Sequence, residues 1–195
     1  MALAVNAEIE ASDEALLVPF GNGDLAAARD LTGRLTPRVL SYASRMLGGD
    51  RAEAEDVAQE AMLRLWKIAP EWRQGEAKVT TWLFRVVTNL CTDRLRKRRN
   101  VDIDTVPEPA DPAGSAESGM QEAARAKALD AALSELPDRQ RQAVVLRHIE
   151  GHTNPEIAAI MEIGVEAVES LTARGKRALA AILAGRRAEL GYEDG

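Results

Sequence analysis

Five basic side chains fill six positions, Arg94, Arg96, Lys97, Arg98 and Arg99, at the end of TTWLFRVVTNLCTDRLRKRRN (Thr80–Asn100). Upstream, Thr81, Arg85, Thr88, Asn89 and Thr92 form a polar face, with Trp82 and Trp72 nearby. Cations at that density grip a phosphate backbone, and indole faces stack on unpaired bases. The same residues suit a plainer purpose. Bases in a last helical turn complement its dipole, and tryptophan is more often core than platform. Other chemistry is poorly provided for. His148 and His152 stand i,i+4 but lack the carboxylate and third ligand of a HExxH zinc site. The single cysteine, Cys91, excludes an internal disulfide and a multi-cysteine zinc site. There is no glycine-rich phosphate loop, no nucleophile elbow, and no Ser/His/Asp or Cys/His order. No enzyme, metal or cofactor is expected.

A second group of residues lies near the C-terminus. NPEIAAIM (154–161), a turn of Glu162, Ile163 and Gly164, and VEAVESLTARGKRALAAIL (165–183) have the spacing of a helix-turn-helix. Ile157, Ala158, Met161, Ile163 and Val168 supply its small core. Glu166, Glu169, Ser170, Ala173 and Arg174 face outward, followed by Lys176 and Arg177. Early outward residues of such a helix reach base edges and later cations meet phosphates. An ordinary αα-hairpin has the same spacing, and glutamates at a helix start favour its dipole without DNA. A third stretch, AEDVAQEAMLRLW (54–66), has an acidic and amide face suited to a basic partner, or to solvent.

The elements that must position these residues are all helical. Asp24 caps a helix to Leu47, with a kink or break expected at Pro37. Gly48 and Gly49 stop it, and Asp50 caps the next, in which Val57, Ala58, Ala61, Met62 and Leu65 follow the helical period. Within Thr80–Asn100 the buried stripe reads Leu83, Val86, Val87, Leu90 and Cys91, where Cys91 packs rather than serving as a redox switch. VDIDTVPEPADPAGSAESG (101–119) has five acids, no base and three of the eight prolines, the composition of a flexible linker. MQEAARAKALDAALSEL then runs to Pro137, which opens a helix ended by Gly151. The expected fold is all-α: two small helical domains, residues 1–100 and 119–195, joined by an acidic linker at 101–118.

Bulk charge limits the partners. The net charge of −6 on 195 residues argues against indiscriminate polyanion binding. Bases and acids number 15 and 14 in residues 1–100, none and 5 in 101–118, and 10 and 12 in 119–195. A nucleic-acid surface must be a local patch. The N-terminus is too acidic for a signal peptide and no apolar run approaches a membrane span, so a cytoplasmic protein is expected.

In order, AEDVAQEAMLRLW, TTWLFRVVTNLCTDRLRKRR (80–99), LPDRQRQAVVLRHIEG (136–151) and EIAAIMEIGVEAVESLTARGKRAL (156–179) resemble the extracytoplasmic-function (ECF) group of bacterial sigma factors. The resemblance spans most of residues 24–183. It implies a promoter-specificity subunit of core RNA polymerase, a stress-response regulator held silent by an anti-sigma factor. It implies that Asp56, Gln59 and Glu60 contact the polymerase. Lys78, Thr80, Thr81, Trp82, Arg85 and Asn89 would open the minus-ten element and hold a flipped non-template base, and Arg94 to Arg99 would track phosphates. Val165, Glu166, Glu169, Ser170, Ala173, Arg174, Lys176 and Arg177 would read the minus-thirty-five element. The linker would thread toward the polymerase active site, its acids mimicking nucleic-acid charge.

Two departures from the family pattern concern specificity. Gly164 stands where many members carry Ser or Pro, and Glu169 where many carry Lys or Arg. Gly175 weakens the recognition helix by ~1 kcal/mol relative to Ala on propensity alone. A conventional regulator with a C-terminal helix-turn-helix, or a helical adaptor without DNA, are the rival readings. The first binds duplex DNA tightly alone, and the second survives neutralisation of Arg94 to Arg99.

Overall fold

The computed structural model describes residues 12–73, 75, 78–101 and 117–185. Among them eight α-helices follow in order: α1 (Asp13–Gly21), α2 (Leu25–Met46), α3 (Arg51–Ile68), α4 (Val79–Val101), α5 (Glu117–Ser134), α6 (Asp138–His148), α7 (Asn154–Met161) and α8 (Val165–Ala184). A 3-10 turn, Ala69–Glu71, follows α3. No strand occurs among the described residues. The acidic linker and the first ten residues lie outside them, except that Val101 ends α4 and Glu117 and Ser118 already belong to α5.

The helix starts follow local chemistry. Asp24 accepts from the N–H groups of Ala26 and Ala27, and Asp50 from that of Glu53, satisfying donors a first turn leaves unpaired. Thr153 and Glu156 form a reciprocal capping box at α7. Gly48 and Gly49 end α2 at φ +71° and +87°, where a side chain would be strained. The expected break at Pro37 is absent, since α2 runs continuously through it. Proline leaves the carbonyl four residues earlier without its donor, but Gly33 and Pro37 are both exposed, so water can reach that carbonyl. Helix α1 lies outside the expected elements despite Pro19. Ser12 caps it, Leu17 is its buried anchor, and the close packing of Gly21 on Ala69 leaves no room for a Cβ.

Helices α1 to α4 pack together, as do α5 to α8, and the two groups meet where α4 lies on α7 and α2 on α5 and α6. One apolar core runs through both, from Leu31, Leu35 and Val57 to Val144, Ile157 and Val168. In α4 the fully buried side chains are Val79, Leu83, Phe84, Val87 and Cys91, while Val86 and Leu90 are half-buried. Thr88, expected on the outward polar face, is instead buried, its hydroxyl 2.8 Å from that of Tyr42. Phe84 completes the stripe, and burying a side chain of that size contributes about 1.5–3 kcal/mol.

Packing also reverses the expectation for Gly175. It is buried where α8 crosses α6, and a Cβ there would stand 2.6 Å from Val144 Cγ2 and 3.1 Å from the Gln140 carbonyl oxygen. The close approach outweighs the propensity gain of ~1 kcal/mol from alanine. Gly175→Ala should therefore destabilise the protein by about 1–3 kcal/mol in urea unfolding, and adding Val144→Ala should recover part of the loss.

Candidate nucleic-acid interface

The residues singled out before and within α4 fall into two environments. At its start the Val79 N–H donates to Glu14 Oε1 at 3.1 Å, so α1 caps α4. A carboxylate there also suits the helix dipole. Lys78 reaches across to Glu156 at the start of α7, Nζ to Oε1 2.7 Å. Thr80, Thr81 and Trp82 are half-buried, and the Trp82 and Trp72 rings meet edge to face at 6.1 Å. The Thr81 hydroxyl and the Trp72 indole N–H are buried without protein partners. Arg85 and Asn89 are exposed one turn apart. Gln74, Glu76 and Ala77 lie outside the described residues.

The basic end of α4 is divided. Arg98 pairs with Asp50 Oδ2 at 2.6 Å and Glu53 Oε2 at 2.7 Å, and donates to the Leu47 carbonyl at 3.3 Å. Arg94 donates to the Glu53 carbonyl at 3.4 Å and lies 3.9 Å from Asp56 Oδ2. These two, one turn apart, bind α4 to the start of α3. Arg96 pairs with Asp93 at 3.1 Å, Lys97 is exposed, and Arg99 pairs with Asp138 at the start of α6. A run of like charges in sequence thus splits by helical phase. Cys91 is fully buried and its thiol is pushed up to about 12 by that burial, so it holds no appreciable thiolate.

Helices α7 and α8 form the helix-turn-helix. Glu162 turns the chain at φ 54°, and Gly164 caps α8 without a side-chain hydrogen bond. Val165, Glu166, Glu169, Ser170, Ala173, Arg174, Lys176 and Arg177 are all exposed. Asn154 Nδ2 reaches Glu169 Oε1 at 3.4 Å. On α3, Asp56 and Gln59 are exposed, and Glu60 pairs with Arg64 at 2.8 Å, a hydrogen bond that lowers the Glu60 carboxyl. Leu63 and Trp66 extend this face as exposed apolar side chains.

A cluster between the two helix groups had no counterpart among the expected site residues. Phe84 stacks edge-on against Tyr42 at 5.3 Å and His152 at 4.9 Å, with the Arg38 guanidinium 5.4 Å from its ring centroid. His152 is buried and His148 exposed, so they share no face. Burial holds His152 below its usual range, with Arg38 and Lys78 acting the same way and Glu156 opposing. Burial would raise Glu156, but hydrogen bonds from Lys78 and Thr153 outweigh it and pull it down to about 2. The sequence signal for the cluster was weak: Phe84 sits beside the expected stripe, and His152 follows a helix-ending glycine.

Comparison with known proteins adds two family matches: residues 31–101 match Sigma-70 region 2, and residues 126–179 match Sigma-70, region 4. The chain is 33% identical to the ECF RNA polymerase sigma factor SigE of Mycolicibacterium smegmatis, covering 93% of this chain and 73% of that one. It is 32% identical to SigM of Mycobacterium tuberculosis, covering 89% and 86%. Among solved structures, CnrH in complex with the cytosolic domain of CnrY aligns with a TM-score of 0.64 at 25% identity, over 89% of this chain and 97% of that one.

Two outcomes follow from the geometry. Arg98→Ala should cost about 1–2 kcal/mol in urea unfolding, because one change removes two ion pairs and a carbonyl contact, whereas Arg85→Ala should stay within about 0.5 kcal/mol. His152 and Glu156 both bind fewer protons folded than unfolded, so unfolding takes up protons and acid destabilises. His152 contributes to the loss as pH falls below 6.5, and Glu156 as it falls from 4.5 toward about 2. The Glu150 carboxyl, raised by burial, acts in the opposite direction, so the check is a comparison: from pH 7 to 5 the wild type should lose more thermal stability than His152→Gln.

Proposed function

The chain belongs to the extracytoplasmic-function sigma factors, and we propose that it recruits core RNA polymerase to promoters without catalysing a reaction of its own. The carrying observation is the order of the two matched regions, 31–101 and 126–179, across a chain 33% identical to an ECF sigma factor. It acts in the cytoplasm under the control of an anti-sigma factor. No helix among the described residues is long and apolar enough to cross a membrane.

The work divides along the chain. Residues 1–100 dock on the polymerase and open the minus-ten element, 101–118 link, and 119–195 read the minus-thirty-five element. Asp56, Gln59 and Glu60 present an acidic, amide-bearing face to basic polymerase residues, with Leu63 and Trp66 adding apolar contact. At the minus-ten element, unpairing a base costs a few kcal/mol, which stacking and hydrogen bonding must offset. Trp82, Thr80 and Thr81 line one end of that site, where the buried Thr81 hydroxyl is without a protein partner. Arg85 and Asn89 are exposed for base contact, and Lys78, Arg96, Lys97 and Arg99 supply phosphate contacts at the ends of the helix. Arg94 and Arg98 support them by holding α4 on α3.

In α8, Val165, Glu166, Glu169, Ser170 and Ala173 face bases, and Arg174, Lys176 and Arg177 face phosphates. A carboxylate at Glu169 repels the backbone, so its favourable contact is a base amino group such as that of cytosine.

The deciding measurement is in vitro transcription with purified core polymerase. Specific initiation should appear only when the protein is added, and its absence on every promoter of the host genome would refute the reading. Arg85→Ala with Asn89→Ala should lower open-complex formation roughly tenfold while leaving core affinity unchanged, a difference of ~1.4 kcal/mol. Lys176→Gln should weaken promoter binding by the holoenzyme uniformly across sequences and reduce its salt slope by about 1.

A further inference from the structure

Helix α4 begins without a local side-chain cap. Lys78, the residue before it, accepts the Trp82 N–H on its carbonyl at 3.1 Å. Its ammonium is a donor only, so it offers nothing to the orphaned N–H groups of the first turn. The acceptor comes from 65 positions away, where Glu14 Oε1 takes the Val79 N–H at 3.1 Å. That first turn carries Thr80, Thr81 and Trp82, three of the residues assigned above to the minus-ten element. A helix end without a cap frays, and fraying here displaces all three side chains together.

Helix α1 is anchored so as to hold Glu14 in place. Glu14, Leu17 and Gly21 recur at helical spacing along one face of it. Leu17 is fully buried. Gly21 packs so closely on the 3-10 turn that a Cβ would stand 2.7 Å from the Ala69 carbonyl oxygen and 3.0 Å from Pro70 N. Phe20 meets Trp66 of α3 at 6.2 Å between ring centroids, and Asp13 lies 3.8 Å from Arg34 of α2. Glu14 and Gly21 stand about 10 Å apart along the axis at 1.5 Å per residue. One end of this short rod is thus fixed on the end of α3 and the other on the start of α4. The Lys78 ammonium registers the same proximity: its hydrogen bond to Glu156 raises it most, and Glu14 adds to the rise.

We propose that α1 is a strut between the polymerase-docking helix and the minus-ten helix, with Glu14 as the positioning residue that keeps the first turn of α4 formed for promoter opening. The inference rests on the reading of Thr80, Thr81 and Trp82 as minus-ten contacts. Helix α1 precedes the matched region 31–101, so the cap is supplied from outside it. Capture of an unpaired base offsets the loss of pairing only when the capturing side chains are already ordered, because ordering them at that moment subtracts from the gain. Glu14 itself touches no DNA. Its task is geometric, and a glutamine amide, which keeps a carbonyl acceptor, can perform it.

The test uses the full chain with core polymerase and compares the wild type, E14A and E14Q. Two templates are needed: a duplex promoter from which the holoenzyme initiates, and the same promoter with its minus-ten element pre-melted by mismatches. Permanganate reactivity of unpaired thymines reports opening, and anisotropy reports core affinity. E14A should lower opening of the duplex roughly fivefold, with core affinity unchanged and the defect largely absent on pre-melted DNA. E14Q should open the duplex as the wild type does. A general loss of stability would instead depress both templates and core binding together. That result, a normal E14A, or an E14Q as impaired as E14A overturns the strut.

A separate arm isolates the underlying reading. T80V/T81V/W82L removes two hydroxyls and the indole while keeping apolar bulk, and it should impair opening of the duplex. If it does not, the first turn of α4 makes no minus-ten contact and the strut falls with that reading. If it does while E14A opens normally, only the strut is overturned.

Discussion

The Phe84 ring lies in the apolar core where the two helix groups meet. It is fully buried and in contact with Tyr42 and Arg38 of α2 and with His152, from the turn before α7. An aromatic ring accepts an edge-on neighbour on one face and a cation on another because its faces carry partial negative charge. That tolerance lets one side chain contact an aliphatic core, a phenol, a guanidinium and an imidazole. Everything α4 presents to solvent is oriented by this packing. With Phe84 turned inward, Thr88 is drawn into the core beside Tyr42, and Arg85 and Asn89 are turned out.

Electrostatics follow the same division. The chain is acidic overall, at −6, yet residues 1–100 hold nearly equal numbers of acids and bases. Most of the bases lie on α2 and α4, and among the described residues Arg38, Arg45, Lys78 and Arg99 meet carboxylates of the second helix group.

Much of the local structure was legible because its causes are local. Asp24, Asp50 and the Thr153–Glu156 box start helices through bonds spanning two or three residues, and Gly48 with Gly49 end one through backbone freedom. The helix-turn-helix boundaries at 154–161 and from 165 were readable for the same reason, as were the outward positions of Glu166, Glu169 and Arg174. The continuity of α2 at Pro37 was not, since it depends on which side of the helix meets water. Gly175 was misjudged because propensity describes an isolated helix, whereas its neighbours Val144 and Gln140 arrive from α6. The basic run was legible as charge but not as role, because its residues have different partners in α3 and α6.

The sequence alone determined the helical elements, the two regions in their order, and the family, since each rests on residue types at short and regular spacing. Tertiary structure decided which cations of α4 stay exposed and which brace it on α3, that Thr88 and Gly175 are packing residues, and that α7 packs on α4. Those outcomes depend on contacts between residues as far apart as Arg38 and Glu150. No local pattern encodes such contacts, because they exist only once several amphipathic faces have chosen one another.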